Sequence, residues 1–131
     1  VLTASLAGAV VSGAPSTLHA VVTGRSPLAA ARAAGTLLPG RHGEPGLAAG
    51  LVVHAAVSVG WGTVLAAVLP RRHQVAWGTA GGLAIAALDL GAAGRRFPAV
   101  RALPQWWQWA DHAVFGAVTG WILSRSDATS P

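Results

Sequence analysis

All nine arginines of this 131-residue chain stand outside four long apolar windows, Leu2–Thr23, Leu47–Leu69, Val75–Ala93 and Trp106–Leu123. The chain has no lysine, so arginine supplies every strong positive charge. A helix on the surface of a water-soluble bundle repeats its charges along the solvated side. Keeping them out of stretches of about 20 residues is what a hydrocarbon core about 30 Å thick imposes. Of the four acidic residues, only Asp89 and Asp111 enter the windows. The pattern predicts an all-α fold, a four-transmembrane-helix bundle forming a single integral membrane domain over 1–131.

Composition agrees. Charged residues make up 10% of the chain, against about 25% in ordinary soluble domains. Mean hydropathy is +0.53. Without cysteine there is no disulfide framework, zinc ribbon or thiol nucleophile. A pI near 11.9 would suit nucleic acid, but the basic pairs Arg71-Arg72 and Arg95-Arg96 flank spans, where anionic lipid headgroups are the expected partners and nucleic acid is not. Residue types with AT-rich codons (lysine, asparagine, tyrosine, methionine) are absent, as in a high-GC bacterial genome. Val1 then reads as a GTG start, and no basic leader of a signal peptide precedes Leu6. The expected location is the bacterial plasma membrane.

Tryptophans mark the edges of the spans. Trp77 opens the third, Trp106, Trp107 and Trp109 open the fourth, and Trp121 lies near its end, at the headgroup levels that indole prefers. Trp61 lies deeper and reads as a packing residue. Between spans one and two, Ser26-Pro27 is a helix-start signature, and Leu28, Ala31, Gly35 and Leu38 follow at helical spacing up to Pro39-Gly40. The segment reads as a short interfacial helix, a re-entrant helix or a polar loop. Ser124–Pro131 reads as a disordered polar tail. The face carrying the Gly24–Gly46 and Gly94–Gln105 connections, here the loop face, holds six arginines; the positive-inside rule puts it in the cytoplasm, with both termini outside.

Each span carries small residues at intervals of four. Gly8 and Ser12 lie in the first, Gly50 and Gly62 in the second, Gly78 and Gly82 in the third, Gly116 and Gly120 in the fourth. Such rows let helix backbones approach closely in lipid, where burial of apolar surface gives little drive. Spans two and four also align on His54/Gly62/Leu65 and His112/Gly120/Leu123, and spans one and three on Gly8/Leu18/Gly24/Arg25 and Gly78/Leu88/Gly94/Arg95. A duplicated helical hairpin would produce both alignments.

Alternating helix direction gathers the intramembrane polar residues at one depth. His19 and Asp89 come late in spans one and three, and His54 and His112 come early in spans two and four. With Asp111 and Ser58 they form a candidate polar layer about 6–12 Å from the loop face, at roughly 1.5 Å of rise per residue. A charged group at mid-span costs roughly 2.5–3.5 kcal/mol, so such residues turn inward and pair. Three roles are open. The histidines hydrogen-bond across the bundle to Asp89, Asp111 or Ser58 and fix register; the layer relays protons or ions; or His19, His54 and His112 with a carboxylate bind a metal. No close-spaced ligand pair supports the metal, so no metal or cofactor is expected. Asp111 and His112 are adjacent and point about 100° apart. Pro15 removes a helical hydrogen bond and predicts a kink before His19. No nucleophile elbow or phosphate-cradling loop is present, so no catalytic residue is assigned.

The stretch Ser12-Gly13-Ala14-Pro15-Ser16-Thr17-Leu18-His19-Ala20, with Arg32-Ala33-Ala34-Gly35-Thr36-Leu37-Leu38, resembles uncharacterised small membrane proteins of actinobacteria. His54/Ser58/Gly62 and His112/Gly116/Gly120 are also similar to the YagU-type inner-membrane proteins. These resemblances imply a membrane location and no activity. The expected role is a structural or auxiliary subunit acting by helix packing, with a second copy or another membrane protein as partner. The rival is a small transporter or channel subunit using the His/Asp layer.

Overall fold

A computed structural model describes residues 1–38 and 46–128, and within them the fold is all-α. The helices are α1 (Leu2–Ser12), α2 (Ala14–Val22), α3 (Ala29–Gly35), α4 (Leu47–Val68), α5 (Gln74–Leu88), α6 (Pro98–Arg101) and α7 (Gln105–Ala128). Between α5 and α6 the chain continues through a π-helical turn, Asp89–Ala93, and a 3₁₀ turn, Gly94–Arg96. Three stretches are long and apolar enough to cross a membrane: Leu2–Val22, Leu47–Val68 and Gln74–Arg96. Only 28%, 17% and 22% of each is buried inside the protein, so most of their apolar surface faces outward.

The first stretch is broken where the sequence predicts a kink. Pro15 has no N–H to give to the carbonyl of Val11. α1 stops at Ser12, and α2 restarts from Gly13, whose carbonyl accepts from Thr17 N–H at 3.0 Å. The turn between α4 and α5 ends at His73, whose φ of 58° is left-handed.

α7 is the hub. It packs most extensively on α5, then on α1, and also touches α2 and α4, whereas the sequence neighbours α4 and α5 barely meet. The α5–α7 seam is antiparallel and made of backbone. A Cβ on Gly78 would strike the carbonyl of Gly116, one on Gly82 that of His112, and one on Gly120 that of Gln74. The α1–α4 seam is antiparallel too, with Gly62 against the Ser5 side chain. Gly8 joins α1 to α7, where a Cβ would stand 2.7 Å from Thr119 Oγ1 and 2.9 Å from the Phe115 ring. Ser12 is buried in α1, its hydroxyl donating to Ala9 O at 3.1 Å. Gly50 lies against the carbonyl of Ala31 in α3.

Several boundaries differ from the sequence reading. α7 has the length of a span, 24 residues or about 36 Å, but Gln105, Gln108, Asp111 and His112 leave it less apolar than the other three, and it is absent from the stretches that qualify on composition. Its C-terminal end is helical to Ala128 where a disordered tail is expected, because Asp127 is held by Gln74 Nε2 at 3.1 Å and lies 4.0 Å from Arg71 Nε. The helix between spans one and two starts at Ala29, not Pro27, after a turn in which Ser26 Oγ accepts from Leu28 N–H at 3.3 Å. It packs against α4 and touches α6. It ends at Gly35, a turn short of the expected stop at Pro39-Gly40; that pair and the loop arginine Arg41 lie outside the described residues.

The seam makes a signed prediction. Gly116→Ala should destabilise the detergent-solubilised bundle by about 1–3 kcal/mol, since the new Cβ meets backbone that cannot swing aside. Gly60→Ala on exposed α4, with open space around its Cβ, should instead stabilise by about 0.5–1 kcal/mol. Unfolding followed by circular dichroism reads both.

Candidate functional site

The polar layer is assembled by four helices but does not converge on one point. Its first station joins α4, the π-helical turn and α7. Asp89, the first residue of the π-helical turn, accepts from the Trp61 indole N–H at 3.0 Å through Oδ2 and 3.3 Å through Oδ1. His112 Nε2 approaches the same carboxylate at 3.6 Å. On its other side, His112 Nδ1 lies 2.7 Å from Gln108 O. A carbonyl can only accept, so the Nδ1 proton is committed there. A favourable approach of Nε2 to Asp89 then requires a further proton, on the imidazole or on the carboxyl, because a bare nitrogen lone pair facing a carboxylate is repulsive.

The second station joins α2 and α7. Asp111 Oδ1 accepts from the backbone N–H of Ser16 at 2.9 Å. Ser16 lies in the first turn of α2, where amide groups lack carbonyl partners one turn back. A carboxylate from α7 thus does the work of a helix cap across the bundle. Asp111 and His112, adjacent in sequence, serve different neighbours.

His54 and His19 make no hydrogen bond to either carboxylate. His54 Nε2 lies 3.0 Å from Ala9 O, which fixes it as the donor, and the hydroxyl of Ser12 donates to the same carbonyl. His54 is exposed on the outside of α4, contrary to the inward orientation expected of it. The last turn of α1 offers it an acceptor at the bundle's edge. His19 stacks on Trp107, with ring centroids 4.9 Å apart and planes at 17°. Ser58 is buried on α4, one turn from His54, and takes part in none of these hydrogen bonds. Among the described residues, no three His, Asp or Glu side chains come together as a metal site would require.

Three participants escape the sequence reading. Trp61 is a hydrogen-bond donor to Asp89 as well as a packing residue; counted along the spans it lies deeper than Asp89, so depth gave no signal for the pairing. The Ser16 amide had a signal in Pro15, since a break in a helix frees the groups around it. Thr119, fully buried against Gly8, had none.

Known protein families, curated proteins and solved structures give no match to this chain.

A double-mutant cycle tests the first station. Trp61→Phe and Asp89→Ala should be coupled by about 0.6–1.7 kcal/mol, the range of interhelical hydrogen bonds in a bilayer. Trp61→Phe with Asp111→Asn should be additive to within about 0.5 kcal/mol, because those residues serve different helix pairs.

Proposed function

We propose that this chain is a four-span integral protein of the bacterial plasma membrane with a structural or auxiliary role, exercised by packing with a second copy or another membrane protein. The observation that carries the proposal is the division of labour in the polar layer. Asp89, Asp111, His54 and His112 each make a contact that ties one helix to another, and none is held open toward a common cleft. Polar residues used this way fix helix register in lipid. α7 is the fourth span of this reading. Its acid and histidine are tolerable at membrane depth because α1, α2, α4 and α5 pack on it, with Asp111 engaged by α2 and His112 set against Asp89.

The duplicated hairpin belongs to the same proposal. The pairs α1–α4 and α5–α7 are both antiparallel, and their contacts correspond. Gly62 meets Ser5, and its counterpart Gly120 meets Gln74 and Val75, the last being the counterpart of Ser5 in the alignment. Arg71 and Arg72 are exposed just before the third apolar stretch and Arg95 and Arg96 at its last residues, suited to anionic headgroups. Kinship with small actinobacterial membrane proteins rests on the sequence resemblance.

The absence of cysteine makes topology easy to test. Single cysteines replacing Arg72 and Ser126 should be labelled by an impermeant maleimide from one side of the membrane, and those replacing Ser26 and Arg96 from the other. A Ser126 position labelled from the same side as Arg96 would mean that α7 does not cross, and the four-span reading would fall.

The approach of His112 to Asp89, 3.6 Å apart, favours one rival reading, a proton relay. Proteoliposomes should dissipate an imposed pH gradient no faster than empty vesicles if the role is structural. A flux that Asp89→Asn abolishes while the bundle stays folded would assign transport instead.

A further inference from the structure

We propose that the chain binds a phosphate group in a cavity at the loop face, where the end of α2, the start of α3 and the start of α7 meet. The cavity encloses about 100 Å³, enough for several waters or one small anionic group. Arg25, His19, Ser16, Ser26 and Gln108 supply its polar lining, and Trp107 forms part of the wall. No carboxylate lines it.

The Ser16 hydroxyl donates to Gly13 O at 3.4 Å, and each of the other four has a donor to spare. The Arg25 guanidinium is exposed and makes no ion pair among the described residues. His19, held by its stack on Trp107, carries a ring N–H in either tautomer, and neither nitrogen is engaged among the described residues. Ser26 Oγ accepts from Leu28 N–H, which leaves its own proton free. Gln108 is the most telling. Its residue is only 8% exposed, yet its side-chain amide has no partner among the described residues and borders the cavity. The amide is open to the cavity, so an acceptor held there would meet its donors.

A fixed cation with three neutral donors and no acid selects an anion, and the planar fork of arginine matches the paired oxygens of a phosphate. Depth makes the group abundant. Trp106, 87% exposed, and Trp107 mark the level where indole rings and lipid phosphates coexist. This step rests on the bilayer reading, because the membrane sets that depth. The phosphate could be carried by a lipid headgroup or be free in solution, with the same donors serving both.

The purified chain in maltoside detergent would be titrated by calorimetry with dihexanoyl phosphatidylglycerol and, separately, with inorganic phosphate. Saturable binding of the short-chain lipid alone identifies a headgroup site. Saturable binding of both, in competition, identifies a site for phosphate of either source. In either case Arg25→Gln should weaken binding about tenfold while Arg125→Gln, on the opposite face and away from the cavity, leaves it unchanged. Binding of neither titrant, or equal weakening by the two substitutions, would overturn the site. A chain that resists alkaline extraction from membranes yet binds neither titrant would overturn the site and leave the bilayer reading standing.

Discussion

Gly78 and Gly116 bring the backbones of α5 and α7 into direct contact, and the rest of the bundle is arranged around that approach. In lipid, an apolar side chain gains little by leaving the hydrocarbon for another helix, so association depends on dispersion between closely fitted surfaces and on hydrogen bonds. A seam without side chains gives the closest fit a helix pair can have. It also supplies what α7 lacks. A helix with glutamines, a carboxylate and a histidine in its first two turns could not face hydrocarbon on all sides. Clamped against α5 through Gly116 and Gly120, and against α1 through Gly8, it becomes the interior of the molecule, while the three more apolar stretches form the outside.

Once α7 is central, its neighbours decide what each of its polar residues meets. Asp111 faces α2 and His112 faces the end of α5, because adjacent residues on a helix diverge by about 100°. Two contacts on different sides resist rotation of α7 about its own axis, which a smooth glycine seam alone would permit. Packing and polar contacts therefore have separate tasks here: the glycines set distance, and the carboxylates set rotation.

Much of this was legible in the sequence because it follows from exclusion and spacing. Keeping arginine out of the windows marked the helices, and the four-residue rows named Gly78, Gly82, Gly116 and Gly120, which lie where backbones meet. The common depth of Asp89 and His112 followed from alternating helix direction. Partner choice was not legible, because depth is set by position along one helix whereas contact depends on how neighbouring helices rotate. His54 shows the difference. It has the right depth for the layer but sits on the outer side of α4, and it uses a carbonyl of α1 rather than a carboxylate. The helical end at Ala128 was missed for a related reason, since Ser124–Asp127 looks polar and unattached until Gln74 is seen across the turn.

The two carboxylates share a feature that links backbone to side chain. Each stands at an interruption of regular helix: Asp111 meets the amide exposed where α1 gives way to α2, and Asp89 begins the turn in which α5 widens to π geometry. Non-helical backbone at membrane depth is tolerated only where protein or water satisfies the groups it frees. A carboxylate is a strong acceptor for such groups, and its own burial is eased when its oxygens are occupied, as those of Asp89 are by Trp61 and those of Asp111 by Ser16. At Asp111 the freed amide and the acid thus satisfy each other, whereas the partner of Asp89 is a side chain, the Trp61 indole. Removing the Pro15 break would strand Asp111 without its amide, and removing Asp111 would strand the break, so the two should change together or not at all.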